Sequence, residues 1–157
     1  MSDLLVKLYE LPDSREALEK LRAAGIEIKR GIAPEKHHVS KWVGEKFSKG
    51  WASECDAAFA QQPCTCFVAV KDTKIVGFAC YDATARGFFG PIGVDEALKQ
   101  PGLGTGLLLR TLEAMREAGY GYAVIGWAGP VDFFKKTVGA TVIPGSEPGV
   151  YKNMLKG

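Results

Sequence analysis

Apolar and polar residues alternate from Leu4 to Leu11, the two-residue period of a half-buried strand. The period changes at Asp13-Ser14-Arg15-Glu16, which has the form of a capping box. Ala17, Leu18 and Leu21 then repeat at helical spacing until Gly25. Ile26 to Ile32 alternates as a second strand. From Pro34, a residue suited to a first helical turn, to Phe47, one helix face gathers Val39, Trp42, Val43 and Phe47. After Lys49-Gly50 a shorter helix places Trp51, Cys55, Ala58 and Phe59 together and stops near Gln61-Gln62-Pro63. Cys66–Val70 and Lys74–Tyr81 read as a hairpin about Lys71-Asp72-Thr73, and Arg86–Val94 as the next strand. Leu108, Leu112 and Met115 mark one face of a later helix, and Tyr122–Trp127 is a strand after it.

No Ser/Gly linker, repeat or shift in composition divides this pattern, so one domain over residues 1–157 is expected, of mixed α/β type. A chain of 157 residues that is 46% hydrophobic can bury a sizeable core. Its 20 basic and 18 acidic residues are interspersed, which points to neither nucleic acid nor an anionic membrane as partner. The start, Met-Ser-Asp-Leu-Leu-Val-Lys, has no charged n-region and no long apolar h-region, and no apolar run approaches the roughly 18 residues of a membrane span. A cytoplasmic location is expected.

The chemistry is concentrated in Gly102-Leu103-Gly104-Thr105-Gly106, between a strand ending near Val94 and the helix bearing Leu108. Glycines there let backbone N–H groups come close to a ligand, and the helix start adds unpaired donors and a positive dipole end. The combination is an anion cradle, suited to phosphate or pyrophosphate. Lys-Ser or Lys-Thr does not follow the glycines, which excludes a nucleotide P-loop. The spacing GxGxG, with no acid on the next strand, excludes the dinucleotide fingerprint.

These residues resemble the GNAT superfamily of acyl-CoA-dependent N-acyltransferases. Lys99-Gln100-Pro101-Gly102-Leu103-Gly104 is similar to its signature [Q/R]-x-x-G-x-[G/A], with Lys99 keeping the charge but not the guanidinium fork. A register two residues later would use Gly104 and Gly106 and put Pro101 at the basic position; the first keeps the usual strand-to-glycine distance. Gly90-Pro91-Ile92-Gly93-Val94 resembles the family's splayed fourth strand, and Phe133 to Ala140 its late helix, with one extra residue before Val138 and a strand Thr141–Ile143 after it. The likeness runs from about Cys66 to Tyr151.

The resemblance implies a central, mostly antiparallel sheet splayed between its fourth and fifth strands, with helices on both faces. It implies acetyl-CoA as co-substrate, with pyrophosphate on Lys99, Gln100 and Gly102, Leu103, Gly104, Thr105 and Gly106, and pantetheine along Ile92, Gly93 and Val94. Phe134 stands where the family often has a tyrosine acid; a phenyl ring packs against a cofactor but donates no proton. The implied reaction moves an acetyl group to a primary amine of a small molecule or peptide. A CoA-binding sensor or partner domain without turnover is the alternative. Residues 1–25 form an extra strand-helix unit, free to pack on the core, make a homodimer contact or cover the acceptor site.

An amine with a pKa of about 10.4 arrives protonated at neutral pH and must lose a proton before it attacks. Glu54, Asp56 and Glu147 are the carboxylates to consider as base, with water the other choice. Tyr81 and Tyr151 are the phenols to consider as acid, and open backbone at Gly93–Val94 could hold the oxyanion. The stretch His37–Gln62, with Trp42, Phe47, Trp51 and Phe59, is expected to border the acceptor, and Trp127 stands where the family often has a polar residue. Cys64 and Cys66 share a strand face while Cys55 and Cys80 are scattered. With His37 and His38 they make no recognised ligand spacing, so reduced core thiols and no metal are expected.

Overall fold

The sequence pattern resolves into one seven-stranded sheet. The computed structural model describes residues 1–157. In chain order the elements are β1 (Leu4–Lys7), α1 (Arg15–Ala23), β2 (Ile26–Arg30), α2 (Lys36–Lys46), α3 (Lys49–Phe59), β3 (Cys66–Lys71) and β4 (Lys74–Tyr81). They continue with β5 (Phe88–Val94), α4 (Leu103–Glu117), β6 (Tyr122–Ile125), α5 (Val131–Val138) and β7 (Thr141–Val142). The strand order is β2-β3-β4-β5-β6-β1-β7. All neighbours run antiparallel except β5 and β6, which are parallel.

The N-terminal strand completes this sheet. β1 lies between β6 and β7 and pairs with both, and Leu4, Val6 and Leu8 are fully buried. It is shorter than the alternation suggests. The Leu8 N–H bonds the Gly121 carbonyl at 3.0 Å, β6 begins just beyond, and the chain leaves the ladder in a 3₁₀ turn over Leu8–Glu10. The cap of α1 also differs from the expected box. Asp13 accepts the Arg15 N–H at 2.8 Å, while the Ser14 hydroxyl reaches away to Glu113 of α4 at 2.8 Å. Glu16 pairs with Lys20 at 3.1 Å instead of folding back to the cap.

Two apolar layers flank the sheet. One holds the buried faces of α1, α4 and α5, including Leu21, Leu107, Leu108, Leu112, Met115 and Phe134. The other lies under α2 and α3, and holds Val39, Val43, Cys55, Ala58, Cys66, Val68, Phe78 and Cys80. Three of the four cysteines meet there, so Cys55 and Cys80 are not scattered. Their Sγ atoms and that of Cys66 lie within 4.8 Å of one another. Hydrogen bonding among them lowers the Cys55 pKa and, with burial, raises those of Cys66 and Cys80.

The sheet opens where β5 leaves β6. Only Phe88–Val124 and Phe89–Ile125 are paired, yet β5 runs on to Val94. Opposite β4 the register shifts between Ala79 and Tyr81, where Gly90 and Pro91 stand against Cys80 alone. This β-bulge bends β5 at the point where its other edge becomes free. No helix of the chain is long and apolar enough to cross a membrane.

Candidate functional site

Beyond β5 the chain passes through a short 3₁₀ turn, Glu96–Leu98, and a left-handed residue, Lys99 (φ 49°), into the glycine loop. Gly102 caps α4 with φ 80°, a conformation that glycine adopts without strain. The N–H groups of Gly102, Gly104 and Thr105 have no acceptor within the chain, and that of Leu103 makes only a long bond to the Gln100 carbonyl at 3.4 Å. These donors converge at the positive end of a 15-residue helix. Lys99 is exposed beside them, and Lys46 of α2 reaches Asp95 at 3.3 Å, where β5 ends. Gln100 turns its amide onto the Pro101 carbonyl at 3.3 Å.

Gly106 faces the other way. Its N–H is taken by the Gly102 carbonyl at 2.9 Å, and a Cβ there would stand 2.5 Å from Leu21 Cδ1 and 3.1 Å from Ile28 Cδ1. It is small so that α4 can approach α1 and β2, and it has no donor to offer the loop. Gly102 is the capping glycine.

The free edge of β5 is read from its pairing. Asp95 N–H bonds the Val76 carbonyl at 2.8 Å, and in an antiparallel ladder bonded and non-bonded pairs alternate. Gly77–Val94 and Ala79–Ile92 are therefore the non-bonded pairs, and Val94 and Ile92 turn N–H and C=O toward the opening. Gly93 turns its own toward β4, so the open backbone expected at Gly93–Val94 reduces to Val94 on that edge. A Cβ on Gly93 would stand 2.6 Å from Phe47 Cζ. Phe47 thus lies against the strand, in an aromatic group with Trp42, Trp51 and Phe78 at centroid separations of 5.1–6.4 Å. Phe59 packs on Gly31. These aromatics fill the α2–α3 layer.

Phe134 does not face the opening. It is 2% exposed, set edge-on to Phe89 at 6.3 Å within the core. The half-buried Phe133 stands at the glycine loop, its Cζ 3.7 Å from where a Gly104 Cβ would be. One residue of helical rotation, about 100°, separates the two rings, so Phe134 packs in the core while Phe133 takes the side toward the loop.

A second group of polar residues occupies the N-terminal end of β5. Glu54 on α3 accepts a hydrogen bond from the hydroxyl of Thr84, in the β4–β5 loop. Burial raises the Glu54 pKa, against the pull of that bond. Tyr151 stands beside them, its Oη 2.5 Å from the position of a Gly126 Cβ, so the phenol lies over the end of β6 where the sheet parts. Burial raises the Tyr151 pKa first and the Glu54 carboxylate next, while the Thr84 hydroxyl lowers it. Trp127 stacks on Tyr151 at 4.8 Å and 16°. It is held in a left-handed turn, φ 51°, by its N–H donating to Asp3 Oδ1 at 2.9 Å. Asp3 N–H in turn donates to Ser146 Oγ at 2.8 Å. A residue three from the N-terminus therefore ties down both the Trp127 turn and the segment leading to Tyr151, a long-range bond with no local sequence signal.

The other candidates fall elsewhere. Tyr81 is buried in the core, where its hydroxyl accepts from Arg30 Nη1 at 3.0 Å. Glu147 pairs with the N-terminal ammonium at 2.5 Å on the surface. The Asp56 carboxylate accepts no hydrogen bond, and only its backbone carbonyl is used, by the Ala60 N–H at 3.2 Å. His37 and His38 stack on each other at 4.0 Å on the exposed face of α2. A cavity of about 540 Å³ between α2 and the β3–β4 hairpin is bordered by Trp42, Ile75 and Asp95, and includes none of Glu54, Thr84 or Tyr151.

Residues 36–139 match the acetyltransferase (GNAT) family, well over half the chain. No curated protein matches the sequence. Among solved structures, the fold is similar to the GCN5-related glucosamine N-acetyltransferase region of a fungal multi-domain GH3 β-N-acetylglucosaminidase. The TM-score is 0.71 at 13% identity, covering 90% of this chain and 19% of that one. A GCN5-related N-acetyltransferase from Sphaerobacter thermophilus gives 0.70 at 19% identity, covering 90% and 48%. One from Kribbella flavida gives 0.55 at 16%, covering 90% and 53%. The chain thus spans about half the length, or less, of the first two of these, and the likeness is one of fold. Taken with the family match and the mixed sheet that parts beside a glycine-capped helix, it shows that the chain belongs to the acetyltransferase (GNAT) family.

Proposed function

We propose that this protein transfers an acetyl group from acetyl-CoA to a primary amine of a small molecule or peptide. One observation carries the reading: the unpaired N–H groups of Gly102, Gly104 and Thr105 continue into the open backbone edge of Val94 and Ile92. A pyrophosphate at the first and an amide-bearing arm along the second is the ligand such a surface suits. From Val94 back to Gly90 the strand spans about 13 Å, which leads such an arm toward Glu54 and Tyr151.

At that end Glu54 serves as base. Its raised pKa brings it nearer the operating pH, where a base is most effective, and it sits where an incoming ammonium would be held. The freed amine attacks the thioester carbonyl, and its oxygen takes up charge that backbone N–H groups near the bulge can stabilise. The C–S bond then breaks. Tyr151, kept protonated by its raised pKa, gives its proton to the departing sulfur; Glu54, having passed the ammonium proton to solvent, takes the remaining amine proton, and solvent reprotonates Tyr151. A thiol with a pKa of about 8.5 also leaves as the thiolate, so the acid accelerates this step without being indispensable.

Calorimetric titration with acetyl-CoA and CoA, followed by thiol release against a panel of amines, tests the reading. Binding with release on one amine class is expected. Failure of both ligands to bind would leave only the fold, and binding without release on any amine would favour a CoA sensor.

A further inference from the structure

Cys55, Cys66 and Cys80 come from three elements. Cys66 and Cys80 are directly opposite in the β3–β4 ladder, and Cys55 descends on them from α3. All three are fully buried. Cys55 and Cys80 have their sulfurs 3.9 Å apart, and no pair in the group exceeds 4.8 Å. A point equidistant from three sulfurs lies about 2.3 Å from each if every edge is 3.9 Å, and about 2.8 Å if every edge is 4.8 Å. Metal–thiolate bonds of about 2.3 Å fall at the lower end. Small core-filling residues need no such convergence of polarizable atoms at coordinating distance.

We propose that Cys55, Cys66 and Cys80 form a buried three-thiolate site for a soft divalent metal ion. Thiolates select soft ions over magnesium or calcium. The surroundings are Val39, Val43, Ala58, Val68 and Phe78, with no imidazole or carboxylate to serve as a fourth ligand. Structural zinc is almost always tetrahedral, so the site suits an ion content with three sulfurs better than it suits zinc. Charge argues for a divalent ion. Three thiolates and a divalent cation leave one negative charge in an apolar layer, whereas a monovalent cation leaves two, at a much higher desolvation cost. On binding, three metal–sulfur bonds replace the S–H bonds, and the protons pass to solvent. No electron is transferred. Half-exposed Cys64, whose Sγ accepts the Cys66 N–H at 3.5 Å, lies outside the three-sulfur group. The inference stands apart from acyl transfer.

The test is an anaerobic titration of the reduced full-length protein with Cd(II), followed by the ultraviolet thiolate-to-metal charge-transfer band and by X-ray absorption at the cadmium edge. One equivalent per chain and a first shell of three sulfurs are expected. Cys80→Ala should weaken binding at least 10-fold, and Cys64→Ala should leave it unchanged. Should Cys80→Ala fail to fold, the absorption spectrum of the unaltered protein still decides. No band, a shell of oxygen or nitrogen, a fourth sulfur, or equal affinity in a folded Cys80→Ala protein would each overturn the site.

Discussion

The Glu54 carboxylate, on α3, is bonded by the Thr84 hydroxyl from the loop that joins β4 to β5, two segments separated by 30 residues. The pair fixes the carboxylate, partly buried, beside the opening of the sheet, and burial raises its pKa. A carboxylate with a raised folded pKa is held more comfortably when protonated. Its stabilising contribution is present below the unfolded value of about 4.3 and is lost as pH rises through the folded one. Glu54→Gln retains an acceptor for Thr84 but has no charge to bury. Its melting temperature should exceed that of the unaltered protein at pH 7 and match it near pH 4. Turnover should fall about 10²- to 10⁴-fold, the usual worth of a general base. Unchanged turnover would remove Glu54 from the reaction.

Tyr151 tests the other half of the proton transfer. Burial and the neighbouring Glu54 charge both hold its proton on, so the phenol remains a donor through and beyond neutral pH. Tyr151→Phe keeps the ring that stacks on Trp127 and deletes only the hydroxyl. Turnover is expected to drop about 10²-fold with the affinity for CoA unaltered. A loss of CoA affinity instead, read by calorimetry, would make Tyr151 a binding residue.

Phe133 and Phe134 should separate binding from stability. Phe134 is buried against Phe89, and Phe134→Ala should cost about 3–5 kcal/mol of unfolding free energy, measured by urea titration. Phe133 is half-buried beside Gly104. Phe133→Ala should cost much less and weaken CoA binding. Equal stability losses would show that both rings belong to the core.

The periodicity made the elements legible because most are decided locally. The β3–β4 hairpin is an example: Asp72 and Thr73 take φ of 50° and 62°, and the continuous apolar runs on either side make strands buried on both faces. The glycine loop was legible because a left-handed cap and bare donors demand glycine, which is visible as a letter. What stayed hidden depends on distant partners. Nothing near Asp3 announces that it will hold Trp127, and nothing near Cys55 announces Cys80. β1 alternates like any strand, yet its place between β6 and β7 is set by residues more than a hundred positions away. The burial of Phe134 is equally hidden, because a step of one residue turns a helix by about 100° and its neighbour Phe133 takes the side toward the glycine loop.

The glycine loop offers the sharpest separation of site from scaffold, since Gly104 and Gly106 lie two residues apart on one helix and face opposite ways. At Gly104 a Cβ meets only Phe133, at 3.7 Å, so valine fits while its branches cover the free N–H groups of the first turn. Gly104→Val should fold with nearly the original melting temperature and lose CoA affinity about 100-fold or more by calorimetry. At Gly106 a Cβ would collide with Leu21 Cδ1 at 2.5 Å, and the side chain has nowhere to go between α1 and β2. Gly106→Val should cost about 1–3 kcal/mol by overpacking. The fraction that remains folded should bind CoA as before, because the N–H of residue 106 is already spent on the Gly102 carbonyl. If Gly106→Val abolished binding in a fully folded protein while Gly104→Val did not, the anion would have to sit a full two residues further along α4, and the register that starts at Lys99 would be wrong.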